Sequence, residues 1–171
     1  NLDKKTFSPN VVVAKKGPLF NDYKKYSDEC EEVKFSVLKS PDSAIELLKI
    51  LFGFIPSIFL IWNLIRKWKV DIIHVNSIMV PSAAIAGKLA GKSVIVHKRE
   101  IISSNRLVSN ILDMIAYLFS DRVIAISNAV KDTSIKALRK KTIVVYNGAD
   151  ASEIEIRRKN NIRKLYGISK D

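Results

Sequence analysis

The stretch Ser93-Val94-Ile95-Val96-His97-Lys98-Arg99-Glu100 decides the fold of this chain. Three consecutive β-branched residues, Val94 to Val96, are typical of a buried strand in a parallel sheet. The sequence then changes abruptly to polar residues, of which His97 is the first. In an open α/β sheet, ligands bind outside the carboxyl ends of the strands. The stretch therefore predicts a strand that leads directly into a binding site.

Strands and helices alternate along the remainder of the chain. The pattern predicts further strands at Asn10–Ala14, Val33–Leu38, Val70–Val75, Arg122–Ile126 and Thr142–Tyr146. It predicts helices near Leu19–Tyr26, from Pro41 toward Lys69, and at about Pro81–Ala90, Asn105–Phe119 and Asn128–Arg139. Because strands that alternate with helices of this length form βαβ crossovers, we expect an α/β fold with a parallel sheet.

Composition and charge limit the class of protein. With 171 residues, of which 47% are hydrophobic and 27% charged, the chain is long enough for one α/β core and is not typical of a disordered protein. A single cysteine, Cys30, excludes an internal disulfide framework and a cysteine-cluster zinc site, and it fits a reducing cytoplasm. Of the 29 Lys and Arg residues, most lie after residue 50, where acidic residues are few. This later part is expected to meet an anionic partner.

The segment Ile50–Ile65 contains no charged residue. As a helix it spans about 24 Å, which is shorter than the roughly 30 Å hydrocarbon core of a bilayer. Two interpretations remain open. The segment is either a kinked core helix or a helix that lies in the membrane interface. In the second case Phe52, Phe54, Phe59 and Trp62 enter the lipid, while the headgroups meet Arg66, Lys67 and Lys69.

Several classes of enzyme lose support because their motifs are missing from the sequence. The six glycines are too scattered to form a dinucleotide fingerprint or a phosphate-binding loop. The two histidines, His74 and His97, lie on different predicted strands without further metal ligands, and we expect His74 to lie in the core. A Gly-x-Ser-x-Gly nucleophile turn is also missing. The polar residues that follow the strands remain as the candidates for function.

Four motifs at the strand ends carry a resemblance to a known family. They are Asp71-Ile72-Ile73-His74-Val75-Asn76, Val94-Ile95-Val96-His97, Asp121-Arg122-Val123-Ile124-Ala125-Ile126-Ser127 and Val145-Tyr146-Asn147-Gly148-Ala149-Asp150. In this order and spacing, the chain from about Pro9 to Asp150 resembles the N-terminal half of retaining glycosyltransferases of family 4, which have the GT-B fold. The resemblance implies a Rossmann-like parallel sheet with helices on both faces. It also implies a first domain that takes mainly the acceptor, and a second that takes mainly the nucleotide sugar.

The resemblance assigns a role to each site residue. His97 matches the catalytic cleft histidine of the family, which suits holding a sugar hydroxyl or a phosphate oxygen. The following Lys98-Arg99-Glu100 departs from the pattern of many members, and Arg99 either clamps a phosphate or pairs with an acid such as Glu100. The implied acceptor-binding residues are His97, Arg99, Glu100, Asn76 and Ser77. Phosphate or cleft contacts are Ser127 and Asn128, where Ser127 also caps a helix, and the implied hinge comprises Asn147, Gly148 and Asp150.

The resemblance also predicts what the chain needs to function. Residues 1–150 form the acceptor-side domain, truncated before the first strand of the family, so we expect a gap in the sheet. Residues 151–171 form a linker and the start of a donor domain, and the chain alone is expected to be inactive. A nucleotide diphosphate sugar is the donor, with no metal or other cofactor, and a lipid-linked or saccharide acceptor is expected at the cytoplasmic face of the membrane. A nucleotide-sugar 2-epimerase and a basic nucleic-acid-binding module are the alternatives.

Overall fold

The computed structural model describes residues 3–35, 44–102, 105–148 and 166–167. Within these ranges the strands are β1 Asn10–Val13, β2 Glu29–Glu32, β3 Ile72–Val75, β4 Ser93–Lys98, β5 Arg122–Ala125 and β6 Thr142–Val144. The helices are α1 Phe20–Tyr26, α2 Ala44–Lys67, α3 Pro81–Leu89, α4 Arg106–Phe119, α5 Asn128–Asp132 and α6 Lys136–Lys141. The predicted start of α2 at Ser40 to Ser43 lies outside the described residues.

The strands pair in parallel and form two sheets. One contains β1 and β2, and the other has the order β3-β4-β5-β6. Neighbouring strands in the larger sheet follow one another in the chain, with a helical crossover between each pair, as the alternation predicts. Parallel strands that are joined by helical crossovers confirm the α/β class. The described strands β1 and β2 do not pair with the larger sheet, and the missing first strand that the resemblance implies stays a prediction.

The second strand was placed wrongly by the sequence pattern, because β2 is Glu29–Glu32 and not Val33–Leu38. Pairing with β1 begins immediately after α1, where the Asp28 amide donates to the Pro9 carbonyl at 2.8 Å. The alternating apolar residues after Glu32 serve a different contact, since Phe35 packs against a buried cluster of α2 and α3. Hydrogen bonding to β1 therefore fixed a polar strand, and residues 36–38 lie outside the described part of the chain.

The core of the larger sheet lies on a single face, which we call the closed face. Val94 and Val96 of β4 and Val123 of β5 are buried there against Leu112 of α4 and Leu138 of α6. Helix α3 approaches especially closely at Gly87, where an added Cβ would lie 2.6 Å from Cγ2 of Val94. The small residues of α3 therefore allow the tight helix packing that the sequence predicts.

The opposite face of the same sheet, which we call the open face, is far less covered. Ile72 of β3 is 53% exposed and Ile143 of β6 is 52% exposed. Along β4 the residues alternate between buried and partly exposed, so that His97 faces the open side and Lys98 the closed side. The two faces thus separate side chains that are adjacent in the sequence.

The last predicted helix, Asn128–Arg139, is two helices in the structure, α5 and α6. The break at Ser134 and Ile135 has a polar cause in the core. The Ile135 amide donates to Oδ2 of Asp113 at 3.0 Å, and Ser134 Oγ accepts from Lys98 Nζ at 2.8 Å. The Ile135 amide bond takes the place of a helical one, and a continuous helix would leave the buried Asp113 carboxylate with fewer donors.

Helix α2 packs on α3 through one face, where Ile61, Leu64 and Ile65 are buried. Within the described part of the chain, no helix combines the length and the hydropathy that a membrane crossing requires. The core interpretation of α2 is therefore correct for this face. Its opposite face is exposed, and Phe54, which the interface interpretation placed in lipid, is half-buried.

Candidate functional site

The carboxyl ends of β3 and β4 bring together four of the five residues that the sequence predicts for acceptor binding. Ser77 Oγ donates to Oε1 of Glu100 at 2.6 Å, and Oε2 of Glu100 accepts from the Arg99 amide at 3.1 Å. A longer contact of 3.4 Å joins Nη1 of Arg99 to Oδ1 of Asn76. Two loops from adjacent parallel strands are thereby held together by side chains, as expected for residues that leave one edge of a sheet.

Arg99 keeps its charge available at this edge. The sequence left open whether its guanidinium pairs with an acid or binds a phosphate. Glu100 accepts from the backbone of Arg99, and the Arg99 side chain instead turns to Asn76 and is exposed. Among the described residues, none of the ion pairs involves Arg99. Its planar group of donors is suited to a carboxylate or phosphate from outside the chain.

His97 lies on the open face beside these loops. Its ring stacks on that of His74, with centroids 5.6 Å apart and an angle of 18° between the planes. The Nε2 atom of His97 is buried, and no described residue forms a hydrogen bond with it. A buried polar atom without a partner is uncommon in proteins and needs an explanation, such as a ligand that supplies the missing bond.

Burial favours the neutral form of the two imidazole rings by lowering the pKa of both. Desolvation lowers the pKa of His97 first of all, and the nearby His74 and Arg99 lower it further, although Glu100 opposes them. Partial desolvation also lowers the pKa of His74. A neutral imidazole carries one donor and one acceptor nitrogen. His97 can therefore either donate a hydrogen bond to a substrate oxygen or accept one from a substrate hydroxyl.

His74 is the residue of this site that the sequence interpretation placed wrongly. We expected it in the core because apolar residues surround it. In the structure Ile73 and Val75 face the closed side, and His74 is exposed on the open face with His97. The signal was available in the alternation of the strand, since Val75 and His74 must point to opposite faces.

Lys98 follows His97 in the sequence, but in the structure it lies in the core and takes no part in the site. The strand continues through Lys98, whose side chain is 1% exposed. Its Nζ atom lies 2.7 Å from Oδ1 of the fully buried Asp113 and 2.8 Å from Ser134 Oγ. Lys98 is thus an internal cation with its own counter-ion and does not face the cleft.

Ser127 and Asn128 follow the next strand, β5. Ser127 Oγ accepts from the Val130 amide at 3.2 Å, which confirms its predicted role as the cap of α5. Asn128 Nδ2 donates to the hydroxyl of Tyr146 at 3.1 Å, a partner that the sequence interpretation missed. Within the described residues, no hydrogen bond joins this pair to Arg99 or His97, so the phosphate or cleft contact stays a prediction.

The proposed hinge is described only in part. Asn147 and Gly148 follow β6 as exposed irregular chain, and Asp150 lies outside the described residues. Among the described glycines, Gly91 and Gly167 have a positive φ and Gly148 does not. The Val145 amide donates to the Ala125 carbonyl at 3.0 Å, so bonding to β5 continues one residue past β6.

Comparisons with solved structures define the class of the fold. The crystal structure of Anabaena Alr3699/HepE in complex with UDP and glucose matches with a TM-score of 0.61 and 21% identity, over 82% of this chain and 37% of that one. The same protein in complex with UDP-glucose matches with a TM-score of 0.61 and 20% identity, over 92% and 42%. A glycosyltransferase from Rickettsia africae ESF-5 matches with a TM-score of 0.57 and 18% identity, over 98% and 43%. The chain thus has the fold of an N-terminal, Rossmann-like domain of GT-B glycosyltransferases.

The family follows from the sequence itself. The model of Glycosyltransferase Family 4 matches residues 14–153, so this chain belongs to that family. No curated protein is significantly similar to the chain in sequence. The chain spans about two fifths of the length of the solved structures it matches, between 37% and 43%.

Proposed function

We propose that this chain forms the acceptor-side wall of a sugar-transfer cleft. The complete protein would transfer a hexose from a nucleotide diphosphate sugar to a saccharide or lipid-linked acceptor in the synthesis of cell-surface polysaccharide. It would act without a metal, at the cytoplasmic face of the membrane. Membership of family 4 supports the reaction class, and the Anabaena neighbour with bound UDP-glucose supports a nucleotide sugar as donor.

The unpartnered Nε2 of His97 is the observation on which this proposal depends. The atom is closed to solvent in this structure, so a sugar hydroxyl or phosphate oxygen would complete its hydrogen bonding once neighbouring side chains move aside. The exposed guanidinium of Arg99 stands beside it and would attract the negative charge that develops on a departing nucleotide diphosphate. The loops that follow β3 and β4 are joined before substrate arrives, because Glu100 bonds to both the Ser77 hydroxyl and the Arg99 amide.

The test is a transfer assay on the complete protein, with UDP-glucose as the first donor and analysis of the products. His97→Ala is expected to lower kcat/KM about a hundredfold, which is the scale for loss of one preorganised hydrogen bond at a transition state. Ile143→Thr, on the same open face but two strands away, is the matched control and should change little. Equal activity of His97→Ala and the unchanged protein would contradict the role of His97.

The same assay separates the remaining possibilities. The 171-residue chain alone should give no product, because the resemblance assigns the nucleotide sugar to the second domain. Turnover by this chain would contradict its assignment as an acceptor-side wall. Release of an epimerised sugar nucleotide, with no glycoside formed, would instead identify a 2-epimerase.

A further inference from the structure

The outward face of α2 carries a stripe of exposed apolar side chains that ends in cations. Phe52 is 78% exposed, Ile55 is 74% exposed and Phe59 is 61% exposed. Trp62 and Arg66 continue the same spacing of three and four residues, which places all five on one side of a helix. We call these five residues the α2 stripe. Large apolar side chains at such exposure need a partner surface.

Contacts between side chains join the last three residues of the α2 stripe, Phe59, Trp62 and Arg66. The rings of Phe59 and Trp62 stack with centroids 6.0 Å apart. The guanidinium carbon of Arg66 lies 4.8 Å from the centroid of the Trp62 ring. An aromatic residue therefore stands between the apolar and the charged part, which is where Trp is enriched at membrane–water interfaces.

A groove of about 420 Å³ opens where the α2 stripe ends, between α2 and α3. Its apolar lining includes Trp62, Ile65 and Leu89, and its cations are Arg66, Lys69 and Lys92. We call these three residues the groove cations. Among the described residues none of them forms an ion pair, whereas their neighbours Lys67 and Lys88 pair with Glu31 and Asp121. The groove thus combines apolar walls with positive charge that no internal acid neutralises.

We propose that α2 docks this chain on a bilayer that contains anionic phospholipid. The apolar end of the stripe enters the boundary of the acyl chains, and the groove cations receive a lipid phosphate. Because apolar and cationic residues separate along the helix axis, α2 lies obliquely, with Phe52 deepest and Arg66 at the headgroups. This proposal rests on the membrane contact named in the proposed function. Its test measures vesicle binding and not sugar transfer, so either proposal can fail alone.

A lipid surface fits these features better than a protein partner does. A helix in a protein groove presents an apolar face along its whole length, while this face changes from Phe and Ile to Arg within about 21 Å. Between residues 52 and 92 the sequence contains a single acidic residue, Asp71. Long cationic side chains beside apolar ones are typical of helices at an anionic membrane surface.

Vesicle flotation of the full 171-residue chain tests the charge requirement. We expect binding to vesicles of phosphatidylcholine with phosphatidylglycerol, weaker binding at high salt, and little binding to phosphatidylcholine alone. Arg66→Gln with Lys92→Gln should weaken binding about tenfold or more. Lys136→Gln with Lys140→Gln, two exposed residues of α6, removes the same charge elsewhere and should weaken binding far less. Equal losses in the two double variants would overturn a specific role for the groove.

The apolar requirement has its own matched pair. Helix α4 also exposes apolar residues, with Leu107 at 69% and Leu118 at 59%, but they lie outside the α2 surface. Phe52→Ser with Phe59→Ser should weaken vesicle binding about tenfold or more, whereas Leu107→Ser with Leu118→Ser should leave it within about twofold. Circular dichroism checks that each variant is folded. Failure to bind anionic vesicles, or a vesicle-independent dimer that the α2 substitutions abolish, would overturn the proposal.

Discussion

Buried polar groups on the closed and open faces of the β3–β6 sheet differ in whether they have hydrogen-bond partners. On the closed face, Lys98 and Asp113 are buried, and each polar group is supplied with partners. On the open face, His97 is only half-buried, yet its Nε2 atom has no described partner. Depth of burial therefore does not identify the functional residue. An unsatisfied polar group at the carboxyl end of a strand is the more informative sign.

Of the changes considered for the two faces, removal of the Lys98 charge is expected to lower the free energy of unfolding most. Lys98→Met leaves the Asp113 carboxylate in the core without its cation, and we expect a loss of about 3–5 kcal/mol in the free energy of unfolding. Urea denaturation followed by circular dichroism measures it.

A second substitution checks that charge is the cause. In Lys98→Met with Asp113→Asn the core contains no charge, and the Asn side-chain oxygen can still accept from the Ile135 amide. We expect the double variant to regain much of the lost stability. A double variant as unstable as Lys98→Met alone would show that lost packing, and not the uncompensated charge, dominates.

A steric change on the closed face should have a smaller effect. In Gly87→Ala the new methyl would meet Val94, while the helix gains up to about 1 kcal/mol in propensity. Because overpacking costs about 1–3 kcal/mol, we expect a net loss of about 1 kcal/mol in thermal or urea denaturation. In a Val94→Ala background only the end of the Ile73 side chain, 3.1 Å from the new methyl, has to shift, so the loss caused by Gly87→Ala should shrink or disappear. An equal loss in both backgrounds would contradict close contact of α3 with Val94.

The open face is expected to contribute the smallest effect, visible as a dependence of stability on pH. The folded state lowers the pKa of His97 and His74 from the ordinary value of 6.5, so below that pH the unfolded chain binds more protons. Their contribution is present above pH 6.5 and is lost as the pH falls through the folded values.

Urea denaturation between pH 5 and 7.5 measures this dependence. His74→Gln with His97→Gln should flatten the slope below 6.5, whereas the unchanged chain should lose stability there. An unchanged slope in the double variant would mean that other groups titrate in this range, and that the stacked rings are not held neutral by the fold.

The strands of the larger sheet could be predicted from sequence because their apolar runs are β-branched and short. Residues such as Val94 and Val123 signal a buried strand on their own. The polar strand β2 carries no such signal, since hydrogen bonding to β1 determines it. The break between α5 and α6 was equally hidden, because it depends on Asp113, which is distant in sequence.

The sequence predicted where the site lies, but not which side chains of β4 face it. Asn76, Ser77, Arg99 and Glu100 could be identified because they follow the ends of adjacent parallel strands. The orientation of each side chain required knowing where β4 ends. The sequence predicts a strand from Ser93 to His97, but β4 continues to Lys98, so the Lys98 side chain enters the core while His97 stays on the open face.

The Asp113 carboxylate has a further consequence for how the molecule opens. One oxygen binds Lys98 of β4 and the other accepts from the Ile135 amide at the start of α6. Separation of α6 from the sheet would expose this ion pair and leave its charges at the edge of the apolar core. Short surface helices commonly open at little cost, but α6 is joined electrostatically to the central strands. Helix α6, α4 and β4 should therefore behave as a single cooperative unit that unfolds together.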